Sequence, residues 1–134
     1  MFELANLNWL AVLVSTAAAF LLGGLYYGPL LGKTWMKAVG KKQEDLGGPA
    51  FPMLLSVVTS FATALLLALI MNAMGVATLV DGLRLGLYVG LCFIAAGMAS
   101  DYAFCGWSLK LFTIQAGYRV LYSVLMGGIL GAWR

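Results

Sequence analysis

The sequence predicts an all-α membrane protein, a bundle of four transmembrane helices that we expect to be homo-oligomeric. Hydrophobic residues make up 63% of the 134 residues, charged residues make up only 10%, and the mean hydropathy is +0.96. Soluble domains are about 45–50% apolar and about 25% charged, so the excess of apolar residues indicates lipid as the surrounding solvent. The apolar runs are continuous rather than alternating, which favours helices over the strands of a membrane barrel.

Four charge-poor runs are long enough to cross a bilayer, whose hydrocarbon core of about 30 Å needs about 20 apolar residues of helix. They cover about residues 8–31, 52–74, 79–102 and 111–133. Since these four runs cover most of the chain, we predict a single integral membrane domain over residues 1–134. The first run is interpreted as a retained span, because Glu3 stands where a signal peptide has positive charge and the run is about twice the usual length.

Residues at the ends of the runs give signals for helix boundaries. Thr78 and Asp81 match the capping-box pattern, with Asp in place of Glu, and predict the start of the third helix. Pro52 fits the first turn of the second helix, where its missing N–H costs nothing. Pro29 is expected to kink or end the first helix.

The connection over residues 32–51 is basic and predicts the orientation. Because Lys and Arg accumulate in cytoplasmic loops, its four lysines together with Lys110 outweigh Arg84 and Arg134, and both termini are predicted outside. The spacing of the lysines favours a short interfacial helix, broken by the Gly-Gly-Pro of residues 47–49. The residues expected to contact lipid headgroups, with anionic lipid recognition as the sharper alternative, are Lys33, Trp35, Lys37, Lys41 and Lys42.

Glycines recur at helical spacing in three of the runs. Gly82, Gly86 and Gly90 form a stripe in the third run, with shorter repeats at positions 24 and 28 and at positions 127 and 131. Small residues let membrane helices approach closely. The stripes predict tight packing, either within one chain or between copies, and a bundle this small favours a homo-oligomer.

Polar residues at membrane depth are the candidate functional site. Gln115, Tyr118, Arg119 and Tyr122 lie on one face of the fourth helix, and the predicted hairpin brings Asp101 level with that face. A charge at the bilayer centre costs about 2.5–3.5 kcal/mol on insertion scales, so such residues are functional candidates by default.

Two interpretations of this polar cluster remain open. In the first, Asp101 and Arg119 neutralise each other and fix the helix register, and the protein is a structural or accessory membrane protein. In the second, the cluster lines a cavity in which Arg119 binds a small anion and Asp101 exchanges a proton or cation, as in a transporter or channel. The scattered net charge of +3 argues against a nucleic-acid partner.

Catalysis is not expected. The sequence has no His, and Cys92 and Cys105 form no spaced metal motif. Asp101 is the one carboxylate expected at membrane depth, so a paired acid and base are lacking. We therefore predict that the protein is not an enzyme and holds no metal ion or cofactor.

Several short motifs resemble one family of small bacterial membrane proteins. They are Leu7-Asn8-Trp9-Leu10-Ala11, Tyr26-Tyr27-Gly28-Pro29-Leu30, Gly32-Lys33-x-Trp35-Met36-Lys37, Lys110-Leu111-Phe112 and Ala116-Gly117-Tyr118. Together they resemble the domain of unknown function 1761 family over nearly the whole chain, although the family usually has Trp at the position of Tyr26. The resemblance implies a protein of four helices, placed in the bacterial cytoplasmic membrane, with no established activity.

Overall fold

The computed structural model describes residues 3–40, 48 and 50–133, and all regular structure in these residues is helical. After a short 3-10 turn at Leu4–Asn6, we number the helices in chain order. They are α1 (Trp9–Leu30), α2 (Gly32–Val39), α3 (Ala50–Met74), α4 (Leu79–Cys105) and α5 (Leu109–Ala132).

Three of these helices, α1, α3 and α4, are long and apolar enough to cross a membrane. The predicted span over residues 111–133 is also a helix, α5, but it does not belong to this apolar group. Its polar side chains, among them Gln115 and Arg119, lower its hydropathy. They are tolerated because α5 lies at the centre of the packing, with eleven buried residues along its length.

Short polar side chains cap the starts of α1, α4 and α5. The side chain of Asn8 accepts a hydrogen bond from the backbone N–H of Ala11 at the start of α1, and Thr78 does the same for Asp81 at the start of α4. The predicted start of the third helix is therefore confirmed. The Asp81 carboxylate forms an exposed salt bridge of 3.8 Å with Arg84. Ser108 caps α5.

The glycine stripe of α4 packs against α5 of the same chain. A Cβ atom added to Gly82 would overlap the carbonyl oxygen of Gly127, and one added to Gly86 would overlap the carbonyl oxygen of Ser123. The two backbones therefore approach as closely as glycine allows. The sequence left open whether this stripe packs within one chain or between copies. In the structure it packs within one chain. Gly97, seven residues after Gly90, does not take part in this packing, because no atom of the described residues would lie within 4 Å of a Cβ atom added there.

Helix α1 runs antiparallel to α5 and is tied to it by polar contacts at both ends. Near the termini, the amide of Asn8 donates to the carbonyl oxygen of Trp133 at 3.1 Å. At the other end, the hydroxyl of Tyr26 donates to the carbonyl oxygen of Ile114 at 2.6 Å. Helix α3 packs on α1 and less extensively on α5.

The C-terminal end of α1 is shaped by Pro29. The backbone changes from α-helix to a π-helical segment at Tyr26–Leu30, which contains the proline, and the helix ends there as predicted. Helix α2 follows almost directly, and Gly40 in a left-handed conformation ends it. A short helix is thus present where the lysine spacing predicts one, and it ends before the expected Gly-Gly-Pro break. A second π-helical segment, Val89–Ala95, interrupts α4.

Candidate functional site

The π-helical end of α1 places aromatic residues against α5. The ring of Tyr118 lies 5.5 Å from that of Tyr26, 5.3 Å from that of Tyr27 and 5.2 Å from that of Tyr122, measured between centroids. The ring of Trp35, on α2, lies 5.4 Å from that of Tyr27. These five residues are called the aromatic cluster below. They pack mostly edge to face or tilted, the arrangements that aromatic pairs prefer.

Two hydroxyls of the aromatic cluster are used to fix the helices. The hydroxyl of Tyr118 donates to the carbonyl oxygen of Ala19 at 2.8 Å, and that of Tyr26 donates to the carbonyl oxygen of Ile114. Both side chains are buried, so these bonds satisfy polar atoms that water cannot reach. They set the register of α1 against α5 without any charged group.

Arg119 lies at the edge of the aromatic cluster. Its guanidinium carbon is 5.7 Å from the ring centroid of Tyr118 and 5.5 Å from that of Tyr122, and its Nη1 donates to the Tyr122 hydroxyl at 3.3 Å. These cation–π contacts favour a charged guanidinium at a half-buried position. Within the described part of the chain, Arg119 forms no salt bridge, so no carboxylate neutralises it there.

A cavity of about 370 Å³ lies beside Arg119, and we call it the polar cavity. Its charged and amide groups are Arg119, Asp101 and Gln115, which come from α5 and the C-terminal part of α4. The remaining lining residues are Tyr27, Thr63, Ile94, Met98, Trp107 and Tyr122. The cavity is large enough for a small molecule and contains both a positive and a negative side chain.

A second cavity, of about 640 Å³, also borders Arg119 and Gln115, and we call it the lateral cavity. It shares Tyr27, Gln115 and Arg119 with the polar cavity. Most of its other lining residues are apolar or glycine and come from α1 and the start of α3. They are Phe20, Gly23, Gly24, Gly28, Trp35, Gly48, Pro52, Met53, Ser56 and Tyr118.

Asp101 and Arg119 line the polar cavity together, but they do not form the ion pair of the first interpretation. Among the described residues, the structure contains one salt bridge, between Asp81 and Arg84. Asp101 is exposed at the cavity, and Arg119 turns its guanidinium towards the tyrosine rings. Two opposite charges are thus available in one cavity without neutralising each other directly.

The structure brings all five predicted cluster residues to this region, with different roles. Asp101, Gln115, Arg119 and Tyr122 line the polar cavity, whereas Tyr118 lines only the lateral cavity and has its hydroxyl engaged. Tyr27, which was not among the predicted site residues, lines both cavities. Pro29, two residues later, was a sequence signal for this position, because a proline near the end of a helix changes the direction of the side chains before it.

The described residues among the predicted lipid contacts differ in exposure. Lys33 and Lys37 are exposed on α2, as expected for a basic interfacial helix. Trp35 is half-buried instead, and its indole N–H donates to the side-chain oxygen of Gln115 at 3.4 Å, so it belongs to the aromatic cluster. Lys41 and Lys42 lie outside the described residues.

The fold and hydropathy define an all-α protein with helices suited to a membrane, and the site is a half-buried arginine between two cavities. Residues 10–131 match a family described as "Protein of unknown function (DUF1761)", and the chain belongs to this family. The resemblance seen in the sequence is therefore confirmed. No curated protein and no solved structure matches the chain.

Proposed function

We propose that the chain is a multi-pass protein that crosses the bacterial cytoplasmic membrane four times, with α5 as the fourth span. A helix of 24 residues is about 36 Å long, enough to cross the hydrocarbon core. The lysine-rich connection after α1 and Lys110 before α5 support an orientation with these two connections in the cytoplasm and both termini outside, because Lys and Arg accumulate in cytoplasmic loops. The polar cavity lies at the cytoplasmic end in this orientation, and the exposed lysines of α2 contact lipid headgroups.

We propose further that the protein binds a small anion at Arg119 and transports it across the membrane, as a homo-oligomeric carrier or channel. The observation that carries this proposal is Arg119 itself, which lies between two cavities with no salt bridge among the described residues. A guanidinium held on tyrosine rings keeps donors free for a carboxylate, sulfonate or phosphate group. No enzymatic activity, cofactor or metal ion is part of the proposal.

Asp101 gives this site a means of coupling transport to protons. Its carboxylate lines the same cavity as Arg119, so a proton exchanged at Asp101 would be coupled to the anion bound beside it. A proton gradient would then drive transport. Replacing Asp101 by Asn should keep anion binding and remove the dependence of transport on that gradient.

The alternative of a purely structural cluster is less well supported. The register of α1 against α5 is already fixed by the hydroxyls of Tyr26 and Tyr118, neither of which is charged. The helix register is therefore fixed without Arg119. A charge at membrane depth is costly, so the presence of Arg119 favours a functional role.

The test is uptake of radiolabelled ethanesulfonate into proteoliposomes. A sulfonate stays ionised at any working pH, so it does not leak through the bilayer as a neutral acid. We expect uptake above that of protein-free liposomes for the wild type and for Arg84→Gln, a matched control that removes an exposed arginine on α4. Arg119→Gln should reduce uptake to the protein-free level. Equal uptake by the Arg119→Gln and wild-type proteins would contradict the proposal, and so would a wild type without uptake.

A further inference from the structure

The side-chain amide of Gln115 borders both cavities and is held by one contact. Trp35, on α2, borders only the lateral cavity, and its indole N–H donates to the Oε1 atom of Gln115 at 3.4 Å. An indole N–H is a donor that cannot accept a hydrogen bond, so the amide atom that faces Trp35 must be the oxygen. This contact therefore fixes which way round the amide lies.

The amide nitrogen of Gln115 is left as a donor. Oxygen and nitrogen are the two branches of a planar amide, so a nitrogen whose oxygen is held at Trp35 points away from the indole. Among the residues that the structure describes, this nitrogen has no hydrogen-bond acceptor. Its two N–H groups are therefore available to a ligand in the polar cavity, which Gln115 also lines.

Gln115 and Arg119 form a pair of donors on one face of α5. They are four residues apart, which corresponds to about 6 Å of rise along the helix axis, and both line the polar cavity. The two donors differ in charge, since one is a guanidinium and the other a neutral amide. Because they start one turn apart, an anion with several acceptor oxygens spans them more readily than a single spherical halide.

We propose that the amide of Gln115 is the second half of the anion site, that Trp35 is its positioning residue, and that the site selects oxyanions over halides. This inference rests on the proposed anion site at Arg119 and names its substrate class. At 3.4 Å the bond from Trp35 is long for an N–H···O contact, so it contributes to the direction of the amide more than to the stability of the fold.

The experiment compares radiolabelled ethanesulfonate with radiolabelled chloride by equilibrium dialysis, with the protein in nanodiscs of zwitterionic phosphatidylcholine and empty nanodiscs as the blank. We expect the wild type to bind ethanesulfonate more tightly than chloride. Gln115→Leu should weaken ethanesulfonate binding on the order of tenfold, the equivalent of one hydrogen bond to a charged group, and chloride binding by about twofold or less.

Gln115→Glu separates the donor from the shape of the side chain. This change keeps an oxygen that can accept from Trp35, so a purely structural role of Gln115 would survive it. It replaces the amide nitrogen by a second carboxylate oxygen beside Arg119, and binding of ethanesulfonate should be lost through repulsion. Circular dichroism and gel filtration show whether each variant is folded.

Trp35→Phe tests the positioning role, because it removes the indole N–H and keeps an aromatic ring beside Tyr27. It should weaken ethanesulfonate binding about two- to tenfold, since the amide must then be ordered when the anion binds. In the Gln115→Leu background the same change should have no further effect, because Trp35 acts through the amide. Trp9→Phe is the matched control: Trp9 is exposed at the start of α1, and this variant should bind both anions like the wild type.

The outcomes distinguish this inference from the proposed function. If the wild type binds chloride as tightly as ethanesulfonate, or if both Gln115 variants bind ethanesulfonate like the wild type, the inference is overturned while the anion site stands. The inference is also overturned if Trp35→Phe weakens binding equally with and without Gln115→Leu, since Trp35 would then act structurally. If the wild type binds no ethanesulfonate, or if Arg119→Gln binds it like the wild type, the proposed function itself fails.

Discussion

The hydroxyl of Tyr118 donates a hydrogen bond of 2.8 Å to the carbonyl oxygen of Ala19, joining α5 to α1 across a separation of 99 residues. This bond removes the phenol from the cavity as a donor and leaves the ring to contact Arg119. One residue thus fixes the helix register through its hydroxyl and contacts the guanidinium through its ring. Removing the hydroxyl of Tyr118 should therefore affect stability, whereas removing its ring should also affect the site at Arg119.

Tyr118→Phe should destabilise the protein by about 0.5–1.5 kcal/mol, because it removes one buried hydrogen bond and keeps the ring. Anion uptake should be retained, since the aromatic face beside Arg119 is unchanged. Unfolding in mixed micelles by increasing denaturing detergent measures the difference. Tyr88→Phe is the control, because Tyr88 is exposed and its loss of a hydroxyl should have little effect. A Tyr118→Phe protein as stable as this control would show that the bond contributes nothing.

Gly86→Ala should destabilise the protein by about 1–3 kcal/mol or more. The added Cβ atom would overlap the backbone of Ser123, so α4 and α5 must move apart. Gly97→Ala should be neutral or stabilising by up to about 1 kcal/mol, because no described atom lies within 4 Å of the added Cβ and alanine favours a helix. Both are measured by the same unfolding assay. Equal effects at the two positions would contradict the packing of α4 on α5 within one chain.

A double-mutant cycle of Asp101→Asn and Arg119→Gln tests the relationship between the two charges. Since no salt bridge joins them, their coupling energy in unfolding should be below about 0.5 kcal/mol. A buried ion pair would behave differently, because removing one partner alone is destabilising by about 3–5 kcal/mol. A coupling of that size would support a structural cluster and count against the anion site.

Much of the fold follows from hydropathy and local signals. The first two predicted spans, residues 8–31 and 52–74, differ by no more than two residues at either end from α1 (Trp9–Leu30) and α3 (Ala50–Met74). The third predicted span, residues 79–102, ends three residues before Cys105, because α4 continues until Gly106 adopts a left-handed conformation. Asp101 lies within both the predicted span and the helix, so this charge does not end the helix.

The details of the site could not be predicted in the same way. Helical spacing placed Gln115, Arg119 and Tyr122 on one face, and they line one cavity. It could not show that Arg119 turns towards tyrosine rings rather than towards Asp101, since that depends on side-chain conformation across helices. Tyr27 was missed because its direction depends on the π-helical segment around Pro29, and helical periodicity assumes a regular α-helix.

Water access to Arg119 is the most direct test of the proposed site. Arg119→Cys is made in a background with Cys92→Ala and Cys105→Ala, both exposed thiols, and is labelled in inside-out vesicles with membrane-impermeant and membrane-permeant thiol reagents. The anion site predicts labelling by the impermeant reagent, because an anion that reaches Arg119 from the cytoplasm needs a water-filled path to this position. Protection from the impermeant reagent, in a variant shown to be folded and labelled by the permeant one, would mean a dry cluster and would contradict anion entry from the cytoplasmic side.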